Sequence, residues 1–244
     1  MKQPKKLLGT YGPGSAHWVG DGFPVRNLFP SNGIQNELDP FLLLDYVGPS
    51  DFEPSERRHG VGEHPHRGFE TVTLAYQGAV EHRDSGGHSG VIHPGDVQWI
   101  TAASGVVHEE MHEREFARHG GTFEMVQLWV NLPSAHKMSR PKYQTILKEQ
   151  IPSVDLGSGA YARVIAGRLN GAKGPAKTFT PVNLLDVRLT AGNRSELNLP
   201  EGHNTGIVLL QGDVVVNGAH ELKGEAQRVK VCCWRHGRTR CCWL

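Results

Sequence analysis

Cysteine is missing from residues 1–231; Cys232, Cys233, Cys241 and Cys242 all lie at the C-terminal end. The main body therefore has neither disulfides nor thiolate metal ligands. The adjacent Cys-Cys pairs lack the two-residue gap that lets two thiolates of one turn hold one zinc, so the tail reads as poorly ordered and reactive. Long apolar runs are missing too. None approaches the ~20 residues of a membrane span. Lys2, Lys5 and Lys6 lead only to Leu7-Leu8 before Gly9, too short for a signal-peptide core. A soluble cytoplasmic protein is expected. Nor is there a strong excess of one charge. The formal net charge is +1, but residues 228–244 hold Arg228, Lys230, Arg235, Arg238 and Arg240 and no acid. Of 26 basic side chains, 26 − 5 = 21 therefore face 25 acidic ones in residues 1–227, a net −4. A mildly acidic body lacks the electrostatic footprint of direct DNA binding.

Helical periodicity is scarce, and the best candidate is Arg140 to Gln150, between Pro141 and Pro152. What is present instead is a succession of short apolar runs punctuated by glycine and proline, such as Phe41 to Val47, Thr71 to Gln77, Val97 to Ile100 and Phe123 to Leu132. Such runs, rich in β-branched and aromatic residues, predict an all-β sandwich or barrel. The polar, proline-bounded Pro133-to-Pro141 segment divides two such stretches. The expected domains are 1–133, 134–227 and a basic Cys/Trp-rich tail, 228–244. An internal echo links Leu74 to Val80 with Leu209 to Val214 through a shared Gln-Gly turn, Gln77-Gly78 and Gln211-Gly212.

Two clusters carry the chemistry. Gly62-Glu63-His64-Pro65-His66-Arg67-Gly68-Phe69-Glu70 runs into a β-prone stretch. In a strand, residues i and i+2 face the same way, so His64 and His66 can grip one metal ion. About forty residues later, after Pro94-Gly95-Asp96, comes His108-Glu109-Glu110-Met111-His112. His108 and Glu110 share a face. Three imidazoles and one carboxylate suit a first-row divalent metal in a site that keeps positions open. His108-x3-His112 also matches the zinc-protease signature, but that motif needs a helix. Here Ser104-Gly105-Val106-Val107 precedes it and predicts a strand. His82, His88, His93 and His136, beside glycine, proline or charged residues, are expected at surface loop positions.

These motifs resemble the cupin superfamily and, more closely, the pirin family. The resemblance rests on His64 to Thr73, Pro94 to Trp99, His108 to Met111, Gln127 to Pro133 and His17 to Arg26, which together cover most of residues 10–145. It implies a bicupin of two jelly-roll β-barrels whose N-terminal domain binds iron through His64, His66, His108 and Glu110. Asn198 and Pro200 stand at the histidine positions of the echo, so the second barrel is expected to lack metal ligands. Bacterial pirins resemble quercetinases, which open a flavonol ring with dioxygen and release carbon monoxide; animal pirins are associated with transcription cofactors. The implied partners are thus a flavonol and dioxygen, or else a protein bound by a metal-bearing regulator. Fe(II) is the metal the resemblance implies; affinity alone leaves Mn, Co, Ni, Cu and Zn open. Glu110 is also a candidate general base toward the flavonol hydroxyl. Glu70, a ligand position in many cupins, becomes either a support for a ligand histidine or a partner of Arg67. Small, apolar lining residues that leave room in the barrel mouth for a flat aromatic ligand would favour the enzyme, and a plugged mouth with an exposed apolar patch elsewhere the regulator. From Arg228 the strand pattern is lost and the chain reads as a shifted frame or truncated gene, which would leave a sheet edge uncovered.

Overall fold

The computed structural model describes residues 6–12, 14–30, 38–224 and 230–234. The all-β expectation holds: strands dominate, and the one α-helix among the described residues is α1 (Arg114–His119). The chain divides into two compact units, one built from residues 14–30 and 40–148, the other from 6–12, 38–39 and the residues after 148.

After β1 (Leu7–Tyr11), which belongs to the second unit, the first unit holds eleven consecutive strands. These are β2 (Ala16–Val19), β3 (Phe23–Phe29), β4 (Phe41–Phe52), β5 (Gly60–His66), β6 (Phe69–Gln77), β7 (Val80–Asp84), β8 (Ser89–Ile92), β9 (Val97–Thr101), β10 (Val106–His112), β11 (Gly121–Asn131) and β12 (Lys142–Ile146). They form a seven-stranded antiparallel sheet, β12-β9-β6-β11-β4-β3-β2, and a four-stranded one, β5-β10-β7-β8. Phe23, Val25, Val47, Ala75, Phe123 and Met125 of the first sheet pack against Val80 and Ile92 of the second. The two sheets thus close on one apolar core, as alternating strands require when one face of each is buried.

Two sequence expectations fail here. Arg140 to Gln150 is not a helix: Lys142–Ile146 is β12, an edge strand paired with β9 through Tyr143↔Ile100 and Thr145↔Gln98, and only a 3₁₀ turn follows at Lys148–Gln150. Pairing along a whole edge outweighs the weak helical propensity of an eleven-residue stretch. Because β12 belongs to the first sheet, the change of unit falls after residue 148 rather than after Pro133. The short helix α1 went unforeseen. Its N-cap is Glu113, whose carboxylate accepts the N–H groups of Glu115 and Phe116 at 2.9 and 3.0 Å.

In the second unit β13 (Ser153–Gly157), β14 (Ala160–Ala166) and β17 (Leu184–Arg188) make a three-stranded sheet, with the two-residue pair β15 (Arg168–Leu169) and β16 (Ala172–Lys173) between them in sequence. β18 (Thr205–Leu209) is followed by the hairpin of β19 (Gly212–Val216) and β20 (His220–Gly224). The backbone of Lys230–Trp234 runs as β21 between β1 and β18, where the sequence pattern marked no strand. The rest of the expected tail lies outside the described residues.

Candidate metal centre

β5 and β10 lie side by side and bring the two sequence clusters together. His64 opposes His108, and His66 opposes Val106; then the register shifts, so that Glu110 opposes Val61 and the extra residue lies on β5. A bulge of this kind bends the strand and re-aims its side chains, a frequent device beside functional sites. The strands must also approach closely. A Cβ on Gly60 would lie 2.3 Å from the Glu110 carbonyl oxygen and 2.7 Å from Met111 Cα, so only glycine fits.

The three imidazoles converge. Their centroids are 4.8 Å apart for His64–His66, 4.4 Å for His64–His108 and 4.7 Å for His66–His108. One nitrogen from each lies within 4.8 Å of the other two. Glu110 Oε2 is 4.0 Å from His108 Nε2. A carbonyl oxygen only accepts, so the 2.8 Å contact between His64 Nδ1 and Gly62 O means that Nδ1 carries the proton. Nε2 is left with its lone pair free, the usual arrangement of a ligating histidine.

The chemistry of the donors fits a cation. His66 Nε2 and both ring nitrogens of His108 are buried and have no hydrogen-bond partner among the described residues. Buried polar atoms are otherwise almost always paired. Burial, aided by neighbouring His64, lowers the His66 pKa to about 4. Burial, aided by His66 and His64, lowers that of His108 to about 3. Both rings are neutral near pH 7, as ligands must be. Burial raises Glu110 to about 7, against the opposing hydroxyl of Thr73.

Around the histidines the barrel interior is layered. His66 touches Phe69 and Trp129 edge-on, at 5.2 and 5.4 Å between centroids, and these two stack on each other at 4.4 Å. Both are only half-buried. They form a stacked aromatic wall against the His66 ring. The loop after His66 is tied down by Lys137 Nζ, which donates to Gly68 O at 2.8 Å and Asn131 Oδ1 at 2.7 Å. Beneath the histidines, Glu110 opposes His82 across β10 and β7, while Thr73 opposes Gln98 and Gln127 across β6, β9 and β11. Two residue pairs further, on the same face, His112 opposes Val80, which belongs to the apolar core.

Four sequence expectations resolve here. His112 is no ligand: it stacks on Phe123 at 4.7 Å, and its Nε2 donates to Gly22 O at 2.9 Å, on a strand as expected and not on the helix a zinc protease needs. Glu70 neither supports a ligand histidine nor pairs with Arg67. Its carboxylate is buried and accepts the Thr101 hydroxyl at 2.7 Å, while Arg67 reaches Met138 Sδ at 3.3 Å. His88 and His93 are exposed, but His82 is 1% exposed and faces inward beside Glu110. Its signal was present in the alternation Val80-x-His82, which places it on the core face of a strand. Phe69, Trp129 and Tyr143 were also missed as parts of the site.

Among the described residues no helix is long and apolar enough to cross a membrane. The Pirin family model matches residues 22–130. A Pseudomonas aeruginosa protein, provisionally named a quercetin 2,3-dioxygenase, is 57% identical over 224 residues, 91% of this chain and 78% of that one. The crystal structure of quercetin 2,3-dioxygenase from Acinetobacter baumannii superposes with a TM-score of 0.87 at 51% identity, covering 98% of this chain and 85% of that one. An Escherichia coli pirin in complex with nickel(II) shares the fold alone, with a TM-score of 0.56 at 15% identity over 96% of this chain and 97% of that one. The strand-dominated structure is the cupin β fold of these proteins, and the chain belongs to the pirin family.

Proposed function

We propose that this chain is a metal-dependent dioxygenase that opens the ring of a flavonol, with His64, His66, His108 and Glu110 as metal ligands and Fe(II) as the working ion. The convergence of three imidazole nitrogens within 4.8 Å of one another, beside a buried carboxylate, is the observation that carries this reading. When bound, the metal supplies the Lewis acid and redox partner that no side chain provides. The chain's own residues do the rest. Phe69 and Trp129, half-buried and stacked beside His66, offer a flat aromatic surface for a planar ligand. Glu110, a buried carboxylate whose Oε2 lies 4.0 Å from His108 Nε2, is the general base that takes the proton of the flavonol hydroxyl. The dioxygenase name of the A. baumannii protein supports the same class of site.

The test is oxygen uptake together with loss of flavonol absorbance when quercetin is added to protein reconstituted anaerobically with Fe(II). Turnover that disappears in a His64→Ala/His66→Ala variant is expected. Folded, stoichiometrically loaded protein that leaves quercetin untouched would contradict the proposal. Glu110→Gln separates the two roles of that residue: normal metal loading with full turnover would remove the base.

A further inference from the structure

The layer beneath the three histidines is polar where a barrel core is normally apolar. Glu110, His82, Thr73, Gln98, Gln127 and Tyr143 meet there, and the first four are 5% exposed or less. Thr73 donates to Gln127 Oε1. Gln98 Nε2 donates to the Tyr143 hydroxyl at 3.3 Å, and that hydroxyl lies 3.4 Å from His82 Nδ1. The His82 and Tyr143 rings stack at 4.6 Å, tilted by 22°. The ring edge bearing Cε1 is pressed against Gly90, where a Cβ would stand 3.1 Å away. Three atoms in this layer have no partner among the described residues: His82 Nε2, Gln98 Oε1 and Glu110 Oε1. A half-satisfied buried network is costlier than an apolar core, so these atoms call for a shared partner.

We infer that His82 is a positioning residue for Glu110, acting through a water held between His82 Nε2, Gln98 Oε1 and Glu110 Oε1. The inference rests on Glu110 being a metal ligand. The donor count closes in one tautomer: Gln98 N–H donates to the Tyr143 oxygen, the Tyr143 O–H to His82 Nδ1, and His82 Nε2–H to the water. The water's two hydrogens then reach Gln98 Oε1 and Glu110 Oε1. Three partners are the usual number for a buried water. One oxygen of Glu110 is thereby held from below, leaving Oε2, the atom 4.0 Å from His108 Nε2, turned toward the histidines. Supports of this kind orient metal ligands, and their loss typically costs ~10–100-fold in metal affinity.

Cobalt(II) tests this by its visible absorption, which reports the ligand arrangement, and by affinity against a competing chelator. Neither readout needs dioxygen or quercetin, so a failure of the dioxygenase reading leaves the test intact; failure of the wild-type protein to bind cobalt would instead sink the ligand set itself. His82→Phe keeps the stack on Tyr143 but cannot hydrogen-bond. It is expected to lower cobalt affinity ~10–100-fold and to change the absorption band, whereas His82→Gln, whose amide N–H can replace Nε2–H, recovers most of both. In a Glu110→Ala background the His82→Phe loss should vanish, because there is no carboxylate left to orient. Wild-type affinity and spectrum in folded His82→Phe, or an equal loss in both backgrounds, would overturn the assignment. Should His82→Phe not fold, Tyr143→Phe removes the hydroxyl that orients His82; a smaller loss in the same direction is expected, and an unchanged spectrum and affinity would overturn it.

Discussion

Replacing His108 by leucine is expected to stabilise the metal-free protein. His108 is 1% exposed, and neither ring nitrogen has a hydrogen-bond partner among the described residues. Each such atom costs ~1–3 kcal/mol of unrecovered desolvation, so the pair costs roughly 2–6 kcal/mol. A leucine of similar volume removes both atoms and loses about 1–2 kcal/mol through imperfect shape. The net gain is about 0–5 kcal/mol, centred on about 2–3 kcal/mol. In urea with excess chelator, His108→Leu should unfold at a higher midpoint with an unchanged slope, which marks a change in stability rather than in the surface exposed. Added cobalt or zinc should reverse the order. At a hundred times Kd the wild-type protein gains ~2.7 kcal/mol, and a variant that has lost a ligand gains far less. A metal-free His108→Leu protein less stable than wild type, or one that metal stabilises as strongly, would refute the reasoning that this ring is buried for a cation.

Further outcomes follow from the same geometry. Phe69→Ala and Trp129→Ala should raise KM for quercetin while metal content stays at the wild-type level, measured by steady-state kinetics beside metal analysis; equal metal loss in both would deny the wall a role in binding substrate. Gly60→Ala drives a methyl into the Glu110 carbonyl and Met111 backbone, and should cost ~1–3 kcal/mol of stability and weaken metal binding, read by urea unfolding and chelator competition. Metal-free protein should lose stability in acid. His66, His108 and His112 have folded pKa values of about 4, 3 and 4, all below the unfolded 6.5. The unfolded chain therefore binds more protons below pH 6.5, and the contribution, complete above 6.5, is lost as pH falls toward 4. The loss is on the order of 3 kcal/mol per ring. Glu110, raised to about 7, works in the opposite sense between pH 4.5 and 7, but it is one group against three. Urea midpoints at pH 7.5 and pH 5 check the sign.

The geometry of the candidate site was legible because a strand repeats every two residues. His64 and His66, and His108 and Glu110, could be placed on common faces from spacing alone. The pairing that joins β5 to β10, with its extra residue, could not, because register depends on contacts between segments some forty residues apart. His82 was hidden by its neighbours: Glu81, Arg83 and the Gly86-Gly87 turn read as surface and outweighed its alternation with Val80, and its inward partner Glu110 lies on another strand. The same holds for the polar layer. Thr73, Gln98, Gln127 and Tyr143 come from four strands, and nothing in any one of them marks the others. The strand at Lys142–Ile146 was misread because an edge strand is decided by its neighbour, β9, rather than by its own composition.

Carbon monoxide release is the most direct test of ring opening at this centre. Fe(II)-loaded protein given quercetin under oxygen should release carbon monoxide mole for mole with the dioxygen consumed, and the His64→Ala/His66→Ala protein should release none. Quercetin loss without carbon monoxide, or release undiminished in that variant, would contradict the account.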